Sequence, residues 1–338
     1  VTLLDIADPR WRDFVESQPR ASIFHHPAWA TVLADTYGYR AMAIGLVERG
    51  GSLAAGLPVI NVTGRVGARR WVSLPFTDMC PLLEADGSAD GPAALIELSR
   101  SARLDVLELR GALPEHADVQ RHTAFVRHEL PLVADHDVIW QGLRKNHRRS
   151  IRDAERAGVT VVRGTAASDI ETFYRLHVRT RRRLGVPVQP LRFFRLLHER
   201  VIQAGLGFVL TARAGQVPVA ASVFSAWNGT VTYKYGARDE RLPKLDANHL
   251  LFWTAIRTAC KEGYRAFDLG RSDIAQLPLR SFKTGWGARE EPLPYSWIAR
   301  SPVRQSSHRA ERAVGLIIRN SSPWVCRAIG ELLYKYAA

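Results

Sequence analysis

Apolar and polar positions along the chain repeat one larger pattern twice. Residues 43–60, AIGLVERGGSLAAGLPVI, are an apolar stretch broken by a charged, glycine-bearing turn and resumed with paired small residues. Residues 208–225, FVLTARAGQVPVAASVFS, align with them without a gap, Ala54 and Ala55 standing against Val219 and Ala220. Two apolar runs around such a turn predict a β-hairpin in each place. Upstream of each hairpin a proline opens a helical pattern, PAWATVLADTYGY from Pro27 and PLRFFRLLHERVIQAG from Pro190, with aromatics at inward spacing. Downstream, GPAALIELSRSARLDVLELRG up to Gly111 and LLFWTAIRTACKEGYRAFDLG up to Gly270 each read as a helix followed by a short apolar strand. Glu108 and Asp268 occupy matching places in the two strands. Two copies of one unit follow. Hairpins supply antiparallel pairs and the helix returns the chain, so each unit is expected to be a mixed, mostly antiparallel sheet flanked by helices, an α/β (α+β) fold.

Between the units lies WQGLRKNHRRSIRDAERAGVTVV, residues 140–162. Ile139, Leu143, Ser150, Ile151 and Ala154 fall near helical spacing, while Arg144, Lys145, Arg148, Arg149, Arg152 and Arg156 take the other faces. This predicts a basic amphipathic helix that Gly158 stops, with a strand beginning at VTVV. In the tail, Ser322 before Pro323 is a helix start, and Trp324, Val325, Ile329, Leu332, Leu333 and Tyr336 recur at helical intervals. That stripe either packs on the second unit, the commoner fate of such faces, or rests on a membrane surface with Arg327 and Lys335 at the headgroups. The expected organisation is a first unit over 1–138, the basic helix over 139–158, a second unit over 159–300 and a helical tail over 301–338.

Composition narrows the partners. The 338 residues are 46% apolar and 24% charged, as in globular proteins. Lys and Arg outnumber Asp and Glu by 47 to 33, a net charge of +14 that attracts anions: nucleic acid, a nucleotide-bearing substrate or an anionic membrane. No apolar run reaches the ~18 residues of a spanning helix and the N-terminus has no apolar signal core, which points to a cytoplasmic protein, expected to be a monomer. Cys80, Cys260 and Cys326 form no CxxC pair and the histidines no HExxH, so neither a metal nor another cofactor is expected. Also missing are GxxxxGK[ST], a GxGxxG after a strand and GxSxG, which weakens nucleotide-driven ligation, dinucleotide redox and α/β-hydrolase chemistry.

Three places remain for chemistry. LHVRTRRRLGVPVQP sets Arg179, Arg181, Arg182 and Arg183 at the end of a helix beginning near Asp169; they either complement the helix dipole or grip phosphate with the guanidinium fork. WVSLPFTDMCP puts Asp78 just past a strand beside Pro75 and Phe76, as a proton acceptor or simply as a residue bonding turn amides. SFKTGWG, after the strand AFDLGRSD with its Asp268 and Arg271, reads as a loop. In it Phe282 and Trp286 supply apolar walls, Gly285 and Gly287 admit a ligand close to the backbone, and Lys283 supplies a charge for an oxyanion or a phosphate.

The basic interunit helix, TRRRLG, GQVPVAASVF, VTYKYGA, the helix before GYRAFDLG and then LRSFKTGWGA, preceded by FHHPAWATVLADTYGY and SLPFTD, resemble in order and spacing the FemABX branch of the GNAT acyltransferase superfamily. The resemblance covers roughly residues 20–298 and implies two tandem GNAT-like domains. It implies transfer of an aminoacyl group from aminoacyl-tRNA to an amine of a peptidoglycan precursor (a muropeptide) or of a peptide-like metabolite; related members use other acyl donors such as acyl-CoA. By similarity Lys283 stands at the acyl-transfer site with Phe282 beside it, Arg183 with its neighbour Arg182 binds substrate phosphate, and Asp78 lies near the acceptor. Leu33 replaces the basic residue that muropeptide-specific members carry after the tryptophan, and the tRNA-binding coiled-coil arm of some members is missing. Tyr235 joins Lys283 and Asp78 as a proton-relay candidate, with Arg144, Lys145, Arg148, Arg149 and Arg152 as phosphate contacts for tRNA. A GNAT scaffold without catalysis, binding nucleic acid or an anionic membrane, is the alternative from another class.

Overall fold

The computed structural model describes residues 1–338 apart from 49, 64–68, 86–89, 243–244, 304–314, 316–317, 320–321 and 335–338. In chain order the strands are β1 (Thr2–Asp5), β2 (Arg40–Val47), β3 (Leu53–Thr63), β4 (Arg69–Val72), β5 (Leu83–Glu84), β6 (Val106–Leu109), β7 (Val119–Pro131), β8 (Val159–Gly164), β9 (Gly207–Ala214), β10 (Val217–Trp227), β11 (Thr230–Arg238), β12 (Ala266–Asp273) and β13 (Arg289–Ala299). The helices are α1 (Pro9–Ser17), α2 (Pro27–Tyr37), α3 (Gly91–Ser101), α4 (His136–Gly142), α5 (Lys145–Arg156), α6 (Ala167–Leu184), α7 (Leu191–Leu197), α8 (Ala247–Lys261), α9 (Leu277–Thr284) and α10 (Pro323–Leu333). The chain divides into two compact units, one of residues 1–126 with 292–305, the other of 127–291 with 306–337. The boundary expected at 138 thus falls at 126, and residues 292–305 return to the first unit because the end of β13 pairs with β6 from Ser296↔Leu109 to Ala299↔Val106.

Both expected hairpins form. In the first unit β2 pairs antiparallel with β3, and in the second β9 pairs antiparallel with β10. Each sheet then gains a parallel strand after a helix: β4 beside β6 around α3, β11 beside β12 around α8. The registers agree to the residue, since the third parallel pair is Val72↔Glu108 in one unit and Thr232↔Asp268 in the other. Asn228 and Gly229, with φ of 48° and 75°, make the two-residue turn between β10 and β11.

Leu57, Val59 and Trp71 of the first sheet pack on Leu95 and Ile96 of α3, while α1 and α2 pack against β2 and β3. In the second unit Phe208 to Leu210 and Thr211 to Ala212 are buried without a break, because alternate residues face helices on opposite sides. Phe208, Leu210 and Ala212 join the core built with Leu251, Ala255 and Ile256 of α8 and Ile151 of α5. α6 lies on β9–β11. The basic helix is interrupted at Leu143, whose extended backbone (φ −65°, ψ 142°) separates α4 from α5. α10 packs on α6, with the Arg327 guanidinium over the Tyr174 ring at 5.2 Å and Cys326 buried. Arg327 is therefore a packing residue, whereas Lys335 and the side chains of Leu332 and Leu333 lie outside the described residues. Among the described residues no helix is long and apolar enough to cross a membrane.

Candidate functional site

β11 and β12 pair in parallel only from Thr230↔Ala266 to Thr232↔Asp268, although β11 continues to Arg238 and β12 to Asp273. A bulge sends β11 away: Val223 faces Tyr235 and the next residue, Phe224, faces Tyr233, leaving Lys234 as the extra residue. β12 turns at the same level. Gly270 takes φ 73°, a conformation glycine adopts at least cost, and its N–H donates to Asp268 Oδ1 at 2.7 Å. Two neighbouring strands thus part after Thr232 and Asp268, and Asp268 closes the turn at which they do.

The segment expected to be a loop here is the helix α9. Lys283 is 5% exposed, and its Nζ donates to Gly270 O at 2.9 Å and Arg271 O at 2.8 Å. The ammonium is anchored on the bend of β12 rather than solvated, so Lys283, Asp268 and Arg271 are brought together. An eight-residue helix is too short to be stable alone, and α5 ties it down. Arg144 donates to Ser281 O (3.1 Å), Ser281 Oγ (2.8 Å) and Thr284 Oγ1 (3.2 Å), and His147 Nε2 donates to Phe282 O at 2.9 Å. His147 is buried, which lowers its pKa. Phe282 lines a cavity of about 130 Å³ with Val219, Ala220, Leu245 and His249. Trp286 does not: it is fully buried, edge-on to His147 at 4.7 Å and stacked on Phe252 at 5.6 Å. It is a core residue and not the ligand wall its glycine neighbours suggested.

Tyr235 sits half-buried on β11 among His177, Phe193 and Phe194, at 5.8, 5.9 and 5.5 Å between ring centres. His177 is buried and its Nε2 donates to Gln189 Oε1 at 2.9 Å; burial pushes its pKa down to about 3, so the ring is neutral. At the far end of α6, Arg182, Arg183, Arg179, Arg238, Arg241 and Arg319 surround Asp239 and Glu240 about a hollow of roughly 370 Å³. Arg183 Nε bonds Glu240 Oε2 at 2.6 Å and Arg241 bonds Asp239 at 2.8 Å, the latter holding Asp239 down to about pKa 2. Six guanidiniums on two carboxylates leave this hollow strongly cationic.

Lys145, Arg148, Arg149 and Arg152 of α5 line a further hollow of about 670 Å³ with Arg156. Arg144 leaves this group: as the residue capping α5 it turns to α9, so its expected phosphate contact is replaced by a structural one. Asp78 belongs to the first unit, where Tyr295 Oη donates to its carbonyl at 2.6 Å. His147 and His177 went unread as site residues. The spacing of Leu143, His147, Ile151 and Ala154, four, four and three apart, does mark His147 as inward-facing. His177 has no such signal, since its neutral state comes from burial in a packed core that local spacing does not report.

Residues 141–283 match the acetyltransferase (GNAT) domain family. No curated protein matches the chain. Among solved structures, FemX aligns with a TM-score of 0.64 at 13% identity, over 88% of this chain and 97% of its own. L-PGS from Bacillus licheniformis aligns with a TM-score of 0.58 at 13% identity, over 94% and 99%. A tandem GNAT protein from the clavulanic acid biosynthesis pathway aligns with a TM-score of 0.52 at 13% identity, over 90% and 99%. At these identities the likeness is one of fold. Residues 141–283 thus match the acetyltransferase (GNAT) domain family, and the chain shares its fold with FemX, L-PGS and a tandem GNAT protein.

Proposed function

We propose that the protein is an N-acyltransferase that moves an aminoacyl group from aminoacyl-tRNA to the amine of a peptidoglycan precursor or a peptide-like metabolite. The observation that carries the choice of donor is the cationic face of α5: Lys145, Arg148, Arg149, Arg152 and Arg156 line one hollow inside the domain that matches the GNAT family. A row of cations suits a run of phosphates better than the single pyrophosphate of a nucleotide carrier. In the reaction the amine nitrogen bonds to the ester carbonyl carbon, the carbon–oxygen bond to the ribose breaks, and the amine's proton passes to a base while the ribose oxygen is protonated. Holding the reactants in place supplies ~7–11 kcal/mol of such a barrier, so no covalent nucleophile is required.

Lys283 is assigned to the oxyanion. Its charge, fixed on the Gly270 and Arg271 carbonyls, needs no reorganisation as the oxyanion develops. Tyr235 on the diverging strand is the proton relay, and Asp78→Asn tests the role near the acceptor that the resemblance implies for Asp78. Phe282 and the cavity it lines would take the donor's side chain, and the arginines around Arg183 would hold acceptor phosphate. A second donor, acyl-CoA, is favoured by the acetyltransferase description of the matched family.

Transfer from labelled aminoacyl-tRNA and from acyl-CoA to a panel of amines decides between them. With the tRNA donor, kcat/KM should fall about 10²-fold between about 50 and 200 mM salt if about four phosphates are contacted, and Arg148→Glu with Arg149→Glu should raise KM. A flat salt response with acyl-CoA as the productive donor selects the second reading. Binding of tRNA without transfer to any amine would identify a scaffold.

A further inference from the structure

The helix that carries Lys283 is held on another side by three polar side chains to which no role has been given. Arg280 of α9 meets Glu290 at the start of β13 in a two-point ion pair, Nε to Oε2 at 2.9 Å and a terminal nitrogen to Oε1 at 2.6 Å. Its other terminal nitrogen donates to Ile274 O at 2.7 Å, in the turn that leaves β12. Glu290 Oε2 also accepts from His128 Nε2 of β7 at 3.0 Å. His128 is fully buried, and burial first, then the Lys283 ammonium, lowers its pKa. A carboxylate only accepts, so the His128–Glu290 bond takes its proton from Nε2.

One carboxylate therefore joins a helix to two strands, and that helix carries Lys283. Arg280 stands three residues before Lys283 on α9, and the turn it bonds follows Gly270 and Arg271 on β12. Loss of Glu290 would release Arg280 from β13 and leave His128 Nε2 without its acceptor. The α5 contacts of Arg144 and His147 would still hold the helix by its other side, so α9 would be tilted rather than unfolded.

We propose that Glu290 is a positioning residue for acyl transfer: by tying Arg280 to His128 it sets α9 so that Lys283 Nζ stays on the Gly270 and Arg271 carbonyls. This rests on the assignment of Lys283 to the oxyanion made above. Displacements of about 1 Å in a positioned group cost about 10²-fold in rate, which sets the expected effect.

The test uses the full chain with Glu290→Gln, and Arg280→Lys as a second variant that keeps the charge but not the fork. The first readout is the ¹H–¹⁵N signal of the Lys283 ammonium, assigned by its loss in Lys283→Met; a buried, hydrogen-bonded ammonium exchanges slowly with water. It should be visible in the parent protein and broadened away in both variants. The second is steady-state transfer with whichever donor is productive: kcat should fall about 10²-fold while KM moves less than about twofold, with the thermal midpoint little changed. An unaltered ammonium signal, or an unaltered kcat, in a folded variant overturns the proposal. A parent protein that transfers nothing refutes the functional assignment instead, and the ammonium signal alone then decides whether Glu290 holds Lys283. Should Glu290→Gln fail to fold, Arg280→Lys carries both readouts.

Discussion

The first and second units bring a parallel strand pair to the same register and then treat its end in opposite ways. In the first, the space past Val72↔Glu108 is filled by the chain itself. Ser73 N donates to Glu108 O (2.8 Å), Arg110 N to Ser73 Oγ (2.8 Å), Arg110 NH1 to Thr77 O (2.7 Å) and Cys80 N to Arg110 O (2.8 Å). Leu74 and Phe76, non-glycine residues at φ 60° and 61°, fold that segment back on itself, each at ~1–3 kcal/mol. Glu108 is buried between Arg70 at 2.6 Å and Arg110 at 3.4 Å. In the second, the matching Asp268 accepts from Gly270 N at the turn, β11 bulges away, and a buried lysine takes the carbonyls of the bend. One scaffold thus ends once in a segment folded back on the strand end and once in a fixed charge beside diverging strands, and the second is the end to which we assign the chemistry.

The largest effect that would sharpen this contrast comes from Lys283→Ala. Transfer should drop about 10²–10³-fold, as when one oxyanion donor is removed, and losing the partner of two buried carbonyls should cost roughly 1–3 kcal/mol in a denaturant titration. Glu108→Gln should do the reverse. Breaking its buried pairs is expected to destabilise the protein by about 3 kcal/mol while the rate per folded molecule stays within about twofold; a rate loss there would break the comparison. Smaller and shared by both units is a sensitivity to acid. His25, pushed by burial down to about 4, donates Nε2–H to Pro81 O at 2.9 Å in the first unit, and His177 is pushed to about 3 in the second. Their folded pKa values lie below the unfolded value of ~6.5, so the stability they confer is complete above that pH and is lost as pH falls through about 4 and 3. Thermal midpoints should therefore decline from about pH 6.5 downward, and His177→Phe should flatten the decline; an unchanged slope would remove His177 from the explanation.

Elements built on local periodicity were legible in the chain. The two hairpins, α2 from Pro27, α6 up to the left-handed Gly185, and the stop at Gly158 all depend on spacing and on residues that bond their own neighbours. The repeat even paired Glu108 with Asp268, because a shared register fixes matching positions. The site was legible only in part. SFKTGWG reads as a loop since it is short and runs into glycines; α5 and Glu290 make its first half the end of a helix through contacts more than a hundred positions away or across a strand start. Arg144 counted as one more cation on a basic helix, but at the capping position its direction is set by the chain's entry into the helix and not by helical phase. Gly285 and Gly287 flank Trp286 as if to open a binding wall, yet they serve the fold: a Cβ on Gly285 would meet the His147 ring at 2.7 Å, and Gly287 takes the left-handed φ of 84°.

The central claim is that the second unit holds the transfer site and the first does not. Its most direct test is single-turnover transfer of a labelled acyl group to an amine acceptor, measured side by side for the parent protein, Lys283→Ala and Glu108→Gln. The rate constant should be about 10²-fold or more lower for Lys283→Ala and within about twofold of the parent for Glu108→Gln. Full transfer by Lys283→Ala, or its loss in folded Glu108→Gln, would place the transfer site elsewhere.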